Sequence, residues 1–200
     1  ILEESEKKLF NILQRTNGSD YVPIQQVVLN AVSNIEKASK LKGSVTGIPT
    51  GFVDLDYKTS GMHASDLVLI AARPSMGKTA FALNIAENVA MINHIPTAIF
   101  SLEMSKVQLA KRLVAMNSKV DSQRIRIGEL EDDEWAKITE SSIILGESTL
   151  YIDDTGSISI NDLRSKCRKL KMEKGLGLII IDYLQLMSGN SGSKNISRQQ

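Results

Sequence analysis

The chain has 200 residues, of which 42% are hydrophobic, and 24 Lys and Arg against 23 Asp and Glu give a formal net charge of +1. A chain of this size can bury a real core, and its balanced charge argues neither for nor against a nucleic-acid partner. A single cysteine, Cys167, excludes an internal disulfide framework and a cysteine-rich zinc site. No apolar run suits a membrane helix and the charged first residues do not suit a signal peptide, so we expect a cytoplasmic protein with no membrane partner.

Two short helices are predicted in the first 42 residues. Residues 1–15 have the spacing of an amphipathic helix, and a second helix is expected from Pro23 to Lys40. The apolar face of the second helix comprises Val27, Val28, Ala31 and Ile35. Taken alone, each segment is more typical of a surface helix without a chemical role. Because the chain starts at Ile1 rather than Met and ends in NISRQQ, we expect a segment of a longer protein.

From residue 66 onward, apolar runs of strand length alternate with helical patterns. The predicted strands are DLVLIAA (66–72), TAIFSLE (97–103), LYIDD (150–154) and LGLIIIDYLQLM (176–187). The predicted helices are TAFALNIAENVAMIN (79–93), SKVQLAKRLVAMNS (105–118), one within 121–149 that buries Trp135, Ile138 and 143–145, and INDLRSKCRKLKMEKG (160–175), capped by Ser159 and closed by Gly175. Uninterrupted apolar strands suit a sheet covered on both faces, so we predict an α/β fold with a mostly parallel sheet between helices.

The stretch AARPSMGKT, residues 71–79, resembles the phosphate-binding loop pattern G-x-x-x-x-G-K-S/T, with Ala72 in place of the first glycine. It follows a predicted strand and opens a predicted helix, which is the setting that such a loop needs. One methyl group at the loop entrance is tolerable, whereas Gly77 must let the backbone pass close to phosphate. Lys78 is expected to reach the β and γ phosphates, and the Thr79 hydroxyl to bind Mg²⁺. The predicted nucleotide-binding residues are Ala72, Arg73, Pro74, Ser75, Met76, Gly77, Lys78 and Thr79.

Acidic residues follow three of the predicted strands. Asp182 comes after four apolar residues in LIIIDY, the Walker B arrangement, and is the candidate second ligand for Mg²⁺. Glu103 is the candidate for orienting or deprotonating the attacking water, and its alternative role is to cap the helix that begins near Ser105. We interpret Asp153 and Asp154 as turn residues or as support for the site.

The helix predicted at 160–175 carries many cations. They are Arg164, Lys166, Arg168, Lys169, Lys171 and Lys174. A solvated basic face is favoured over a nucleic-acid patch, and the absence of interleaved aromatic residues excludes a stacking platform for single strands. Cys167 lies on the apolar face of this helix and is expected to be a buried thiol rather than a nucleophile.

Six blocks of the sequence together resemble one family. In chain order they are VTGIPTGFVDLD, IAARPSMGKTAFALNIAENVA, FSLEMS, LYIDDTGSISI, LRSKCRKLK and GLIIIDYLQLM. They are similar to the RecA-type ATPase domain of bacterial replicative DnaB-type helicases, whose phosphate loop commonly carries Ala at its first position. The resemblance runs from residue 43 to residue 187. It implies a RecA-like P-loop NTPase core in residues 43–200, with a linker helix and a lead-in helix in residues 1–42.

The resemblance also implies an activity. It points to a ring-shaped homohexamer that uses ATP and Mg²⁺ to move 5′ to 3′ along single-stranded DNA and separate the duplex, with a primase and a helicase loader as partners. It supports the roles of Lys78, Thr79 and Asp182 and assigns water activation to Glu103.

Two departures limit the resemblance. Ala64 and Ser65 stand where the family usually has Pro-Gly, in a turn that should not affect chemistry. The family's later blocks, with a γ-phosphate sensor and an arginine finger that acts on the neighbouring subunit, would follow Gln200. Because such a finger contributes 10³ or more to the rate in related NTPases, we expect the 200 residues alone to hydrolyse ATP very slowly. The alternative is a RecA-like regulatory or assembly ATPase that binds nucleotide without unwinding, but FSLEMS and DYLQLM favour the helicase.

Overall fold

The structure is a computed structural model that describes residues 22–40 and 45–188. The chain divides into two compact units, Ile1–Ser44 and Val45–Gln200. In the first unit, helix α1 (Ile24–Lys40) begins directly after Pro23, and the side chains of Val27, Val28 and Ile35 on its predicted apolar face are exposed. The helix predicted in residues 1–15 lies outside the described residues, and the linker role of residues 1–42 stays a prediction.

The second unit is an α/β structure. Its helices are α2 (Val53–Thr59), α3 (Lys78–Glu87), α4 (Lys106–Ser118), α5 (Ser122–Ile127), α6 (Asp132–Glu147) and α7 (Ile160–Lys174). Its strands are β1 (Thr97–Ser101), β2 (Leu150–Asp153) and β3 (Leu178–Asp182). A π-helical turn (Asn88–Ile92) follows α3 directly, and a 3₁₀ turn (Leu184–Leu186) follows β3.

The three strands form a parallel sheet in the order β2-β1-β3. Strand β1 is central and buried along its whole length. Its first residue, Thr97, pairs with Leu150 and Leu178, and its last residue, Ser101, pairs with Asp182. Because all strands run the same way, the residues that follow them meet at one edge of the sheet.

Helices cover both faces of this sheet, as predicted. Ile99 points to one face, where it packs with Leu83 of α3 and Leu109 of α4. Ala98 and Phe100, its neighbours along β1, point to the other face and pack with Cys167 of α7. This alternation is the two-residue period of a strand, and full burial of a Leu or Ile side chain stabilises the fold by about 1.5–3 kcal/mol.

Residues 66–72, predicted as a strand, do not form one. Within the described residues, no backbone hydrogen bond joins 67–72 to a neighbouring strand, and Leu67 and Leu69 are 83% and 73% exposed. The prediction was wrong because a strand depends on a partner to pair with, which an apolar run does not supply by itself.

The burial expected for α6 is also partly wrong. Trp135, Ile143 and Ile144 are exposed, whereas Ile138 and Leu145 are half-buried. Residues 138, 141 and 145 share one face at the spacing of a helix, and this face packs toward α4, with Ser141 fully buried. A run of three apolar residues cannot all lie on one helix face, so the packing selected Leu145.

The helix ends follow local signals in the sequence. Ser159 caps α7 by accepting a hydrogen bond from the Asp162 N–H, and Gly175 ends that helix with a φ of 75°. Ser105 caps α4 in a capping box with Gln108. These side chains satisfy backbone groups that have no partner within the helix, which is why helix ends are the most predictable positions of the chain.

A buried carboxylate organises the segment that precedes the loop. Asp56 of α2 is 6% exposed and accepts three hydrogen bonds, from the Thr50 N–H (2.8 Å), the Thr50 hydroxyl (2.7 Å) and the Gly51 N–H (3.0 Å). The neighbouring Phe52 ring lies 4.8 Å from the ring of Phe81, which belongs to α3. The segment is thereby held against the helix that carries the loop's lysine.

Candidate functional site

The loop of residues 71–77 leads directly into α3. Gly77 precedes the helix with a φ of 86°, a value that side chains resist, so glycine suits this position on conformational grounds. A Cβ added to Gly77 would meet nothing within 4 Å among the described atoms, so crowding within the chain is not the reason for glycine. Ser75 also has a positive φ, 65°. The loop backbone is therefore bent into conformations that point consecutive N–H groups inward, as anion-binding loops require.

The start of α3 offers free backbone donors. Its first intrahelical bond is donated by the Phe81 N–H to the Gly77 carbonyl (2.9 Å), so the N–H groups of Lys78, Thr79 and Ala80 precede the hydrogen-bonded part of the helix. None of the described side chains caps this end. The unsatisfied N–H groups and the positive end of the helix dipole favour a bound anion such as phosphate.

Asp182, 103 residues further along the chain, lies against the start of α3. The Thr79 hydroxyl donates a hydrogen bond to Asp182 Oδ2 at 2.6 Å. Lys78 Nζ lies 3.6 Å from Asp182 Oδ1, and the Asp182 side chain is 7% exposed. The fold thus brings together three residues that the sequence assigned to one site from two separate motifs.

Tyr183 completes this group and was missed by the sequence reasoning. Lys78 Nζ lies 4.2 Å from the centroid of the Tyr183 ring, within the range of a cation–π contact. The available signal was its position directly after Asp182 in LIIIDYLQLM. A tyrosine at the end of a strand is common, so position alone did not distinguish it.

Glu103 lies in the turn between β1 and α4, close in register to Asp182. Ser101 pairs with Asp182, and the Leu102 N–H donates to the Asp182 carbonyl at 2.8 Å. Glu103 is exposed, and none of the described residues forms a salt bridge with it. Its alternative role as a helix cap is not the one observed, because Ser105 caps α4. The structure places Glu103 at the same sheet edge as Asp182 but shows no contact between the two side chains.

Asp153 and Asp154, after β2, hold neighbouring helices. Asp153 accepts a hydrogen bond from Lys166 Nζ of α7 at 2.5 Å, and Asp154 accepts one from the Lys106 N–H at the start of α4 at 3.0 Å. Burial raises the pKa of Asp153, but hydrogen bonds from Lys166 and Thr155 outweigh it, so the pKa is below its usual value. The pKa of Asp154 is also lowered, chiefly by the Lys106 N–H. Both carboxylates are engaged structurally, in line with the supporting role expected for them.

The Lys166–Asp153 pair predicts a pH-dependent contribution to stability. A depressed pKa in the folded state stabilises the fold above the carboxyl's ordinary pKa, and this stabilisation is lost as the pH falls from about 4 through the lowered value. We expect Lys166→Met to lower the free energy of unfolding by up to ~1 kcal/mol at pH 7, because the pair is partly exposed, and by little at pH 2. Urea unfolding at several pH values measures this. Lys169→Met, whose lysine lies 4.0 Å from Glu173, is the control, and an equal loss in both variants at pH 7 would contradict the assignment.

The cations of α7 are partly committed to the chain itself. Besides the Lys166 contact with Asp153, Lys171 Nζ donates to the Leu176 carbonyl at 2.8 Å. These contacts agree with the solvated basic face that the sequence favoured. Cys167 is buried, and burial, helped by the charge of Asp153, raises the pKa of its thiol, which disfavours a nucleophilic thiolate.

The donor set beside Lys78 fits Mg²⁺. Within residues 22–40 and 45–188, no three His, Cys, Asp or Glu side chains cluster as a metal site. Mg²⁺ does not need such a cage, since it is commonly held by one or two carboxylates together with substrate phosphates. The carboxylate of Asp182 and the hydroxyl of Thr79 are both oxygen donors, 2.6 Å apart. Adjacent ligands of an octahedral Mg²⁺ lie about 3 Å apart, so a small separation would admit the ion between them.

A parallel sheet between helices, with this loop at its carboxyl edge, defines a RecA-like ATPase domain. Two solved structures share the fold. One is a helicase-type ATPase domain, which matches with a TM-score of 0.82 and 36% identity, covering 90% of this chain and 62% of that chain. The other is a DnaB-like replicative helicase studied with its primase interactions, which matches with a TM-score of 0.77 and 34% identity, covering 98% of this chain and 46% of that chain.

The chain belongs to the DnaB-like helicase C terminal domain family, which it matches over residues 47–200. It is 47% identical to the replicative DNA helicase DnaC of Bacillus subtilis (strain 168) and 46% identical to the replicative DNA helicase DnaB of Geobacillus stearothermophilus. Each alignment covers 100% of this chain and 44% of the relative, so the chain spans less than half the length of these proteins. Among the residues that the structure describes, no helix has the length and apolar character needed to cross a membrane.

Proposed function

We propose that this chain is the motor part of a replicative DNA helicase, which binds and hydrolyses ATP with Mg²⁺ to move 5′ to 3′ on single-stranded DNA and separate the duplex. One observation carries the proposal: the Thr79 hydroxyl and the Lys78 ammonium both face the buried carboxylate of Asp182, at 2.6 and 3.6 Å. The loop resembles a phosphate-binding loop by pattern, and the carboxylate comes from a different strand. Their meeting provides, in one place, the cationic, hydroxyl and carboxylate groups that ATP and Mg²⁺ require.

The loop would hold the phosphates. Its backbone N–H groups and the start of α3 face the triphosphate, and Lys78 supplies a point charge for the β and γ phosphates. The residues proposed to contact the nucleotide are Ala72, Arg73, Pro74, Ser75, Met76, Gly77, Lys78 and Thr79. All of those before Lys78 are exposed, so a ligand has access to the loop.

Thr79 and Asp182 would hold the metal ion. Mg²⁺, when bound, supplies positive charge that stabilises the phosphate oxygens during transfer. The burial of Asp182 limits its contact with water, which strengthens its attraction to a cation. The carboxylate therefore orients the Thr79 hydroxyl and stays ready to bind the ion.

Glu103 would orient or deprotonate the attacking water. A general base has to lie within hydrogen-bond reach of the water it activates, and the turn after β1 brings Glu103 to the sheet edge that holds Asp182. The exposed carboxylate is free of a salt bridge among the described residues, so it is available for this role. Lys78 would assist by stabilising the charge on the transferred phosphoryl group.

The partners follow from the relatives. Both named relatives are replicative DNA helicases, and one solved structure comes from a study of helicase and primase. We therefore propose that the full-length protein acts as a homohexamer on single-stranded DNA at the replication fork in the cytoplasm, with a primase and a helicase loader as partners.

Strand separation by the full-length gene product tests this function. We expect ATP- and Mg²⁺-dependent unwinding of a forked DNA with a 5′ tail, no unwinding when Mg²⁺ is chelated, and little unwinding when only a 3′ tail is present. Single-stranded DNA should also stimulate ATP hydrolysis. Nucleotide binding without unwinding or DNA-stimulated hydrolysis would instead support a regulatory or assembly ATPase.

A further inference from the structure

The ammonium of Lys78 has two neighbours of different kinds. On one side lies the carboxylate of Asp182, with Oδ1 3.6 Å away, and on the other lies the face of the Tyr183 ring, with its centroid 4.2 Å away. The Lys78 side chain is only 31% exposed. Partial burial strengthens a cation–π contact relative to one in open water.

The carboxylate alone does not fix the ammonium. A charge-assisted hydrogen bond between an ammonium and a carboxylate is about 2.7–2.9 Å long, and the separation of 3.6 Å is clearly longer. The other oxygen of Asp182 accepts the hydrogen bond from Thr79 at 2.6 Å. A further attraction is therefore needed to keep the long, flexible Lys78 side chain in place.

An aromatic ring supplies that attraction without competing for ligands. The ring attracts a cation through its quadrupole and accepts no conventional hydrogen bond, so the three N–H donors of Lys78 stay available for phosphate oxygens. A second carboxylate at position 183 would attract Lys78 as well, but it would also compete for the donors and the metal. Among the described residues, the Tyr183 hydroxyl makes no hydrogen bond, so the ring is the part of this side chain that acts on Lys78.

We propose that Tyr183 is a positioning residue, whose ring face holds the Lys78 ammonium beside Asp182 in the place from which it reaches phosphate. The proposal rests on the proposed function, in which Lys78 binds the phosphates of ATP. It requires an aromatic ring at position 183 and does not require the hydroxyl.

A nucleotide-free measurement tests the contact itself. The ring current of Tyr183 should shift the NMR signals of the Lys78 ε-methylene group upfield in protein with ¹³C-labelled lysine. We expect Tyr183→Phe to retain the shift and Tyr183→Leu, which keeps an apolar side chain without a ring, to lose it. A Lys78 ε-methylene signal that is unshifted in the unmodified protein would overturn the proposal.

Titration with a non-hydrolysable ATP analogue and Mg²⁺ tests the consequence. We expect Tyr183→Phe to bind as the unmodified protein does, and Tyr183→Leu to bind about two- to fivefold more weakly, the strength of a cation–π contact at a partly exposed site. Fluorinated phenylalanines at position 183 change the ring's charge distribution with little change in shape, so they keep the test valid if Tyr183→Leu does not fold. Affinity should fall stepwise with each added fluorine.

Lys78→Ala separates failure of this proposal from failure of the function beneath it. Loss of binding in Lys78→Ala with unchanged binding in Tyr183→Leu and in the fluorinated series would overturn the positioning role alone. Unchanged binding in Lys78→Ala would overturn the phosphate-binding role of Lys78, and the positioning role with it.

Discussion

Replacing Lys78 with alanine is expected to weaken binding of a non-hydrolysable ATP analogue by about 100-fold or more. The variant removes the point charge aimed at the phosphates, and hydrogen bonds to charged groups are worth about 1.5–3 kcal/mol each, so the loss of two of them accounts for this factor. Isothermal titration calorimetry with Mg²⁺ present measures the dissociation constant.

Two control variants make the Lys78 result specific. Lys106→Ala removes another partly exposed lysine that faces a carboxylate, Asp154, and should leave nucleotide affinity unchanged. Glu103→Gln should bind the analogue as the unmodified protein does, while ATP hydrolysis by the full-length protein is lost, because the amide cannot take a proton from water. If Lys78→Ala binds as tightly as Lys106→Ala, the assignment of the phosphate site is wrong.

Asp56→Ala is expected to lower the free energy of unfolding by about 3 kcal/mol. The substitution leaves three donors without their acceptor, and an unsatisfied buried group costs about 1–3 kcal/mol, less whatever water can enter to bind. Asp56→Asn keeps one acceptor oxygen and should lose about half as much. Urea unfolding followed by circular dichroism measures the difference.

The matched control for Asp56 lies on the same helix. Asp54 is exposed in the first turn of α2, so Asp54→Ala should change the free energy of unfolding by less than about 0.5 kcal/mol. Equal losses in Asp54→Ala and Asp56→Ala would show that the buried hydrogen bonds do not stabilise this segment. The sequence analysis did not identify Asp56 as structural, because an aspartate in a Gly- and Thr-rich segment has the same local pattern whether it is buried or solvated.

The parts of the fold that local signals determine were predictable from the sequence. Ser159 and Gly175 delimit α7 because capping depends on the few residues next to the helix end. Strands β1, β2 and β3 were predicted because each is a short apolar run, and a parallel sheet buries such runs on both faces.

What depends on distant neighbours was not predictable in the same way. The apolar run 66–72 has the composition of a strand, but pairing is a property of two segments, and no described strand pairs with it. Trp135 is large and apolar, yet the packing of α6 selected the face of residues 138, 141 and 145. The ring of Tyr183 acts on Lys78 across more than 100 residues of sequence, which no spacing rule could indicate.

Asp182 links two parts of the proposed site mechanically. Its carboxylate holds the Thr79 hydroxyl at the start of α3, and its backbone carbonyl holds the Leu102 N–H, one residue before Glu103. A displacement of the loop that pulls on the carboxylate is therefore transmitted through a single residue to the turn that carries the proposed base. The groups that would sense the nucleotide and the group that would activate water are expected to shift together rather than independently.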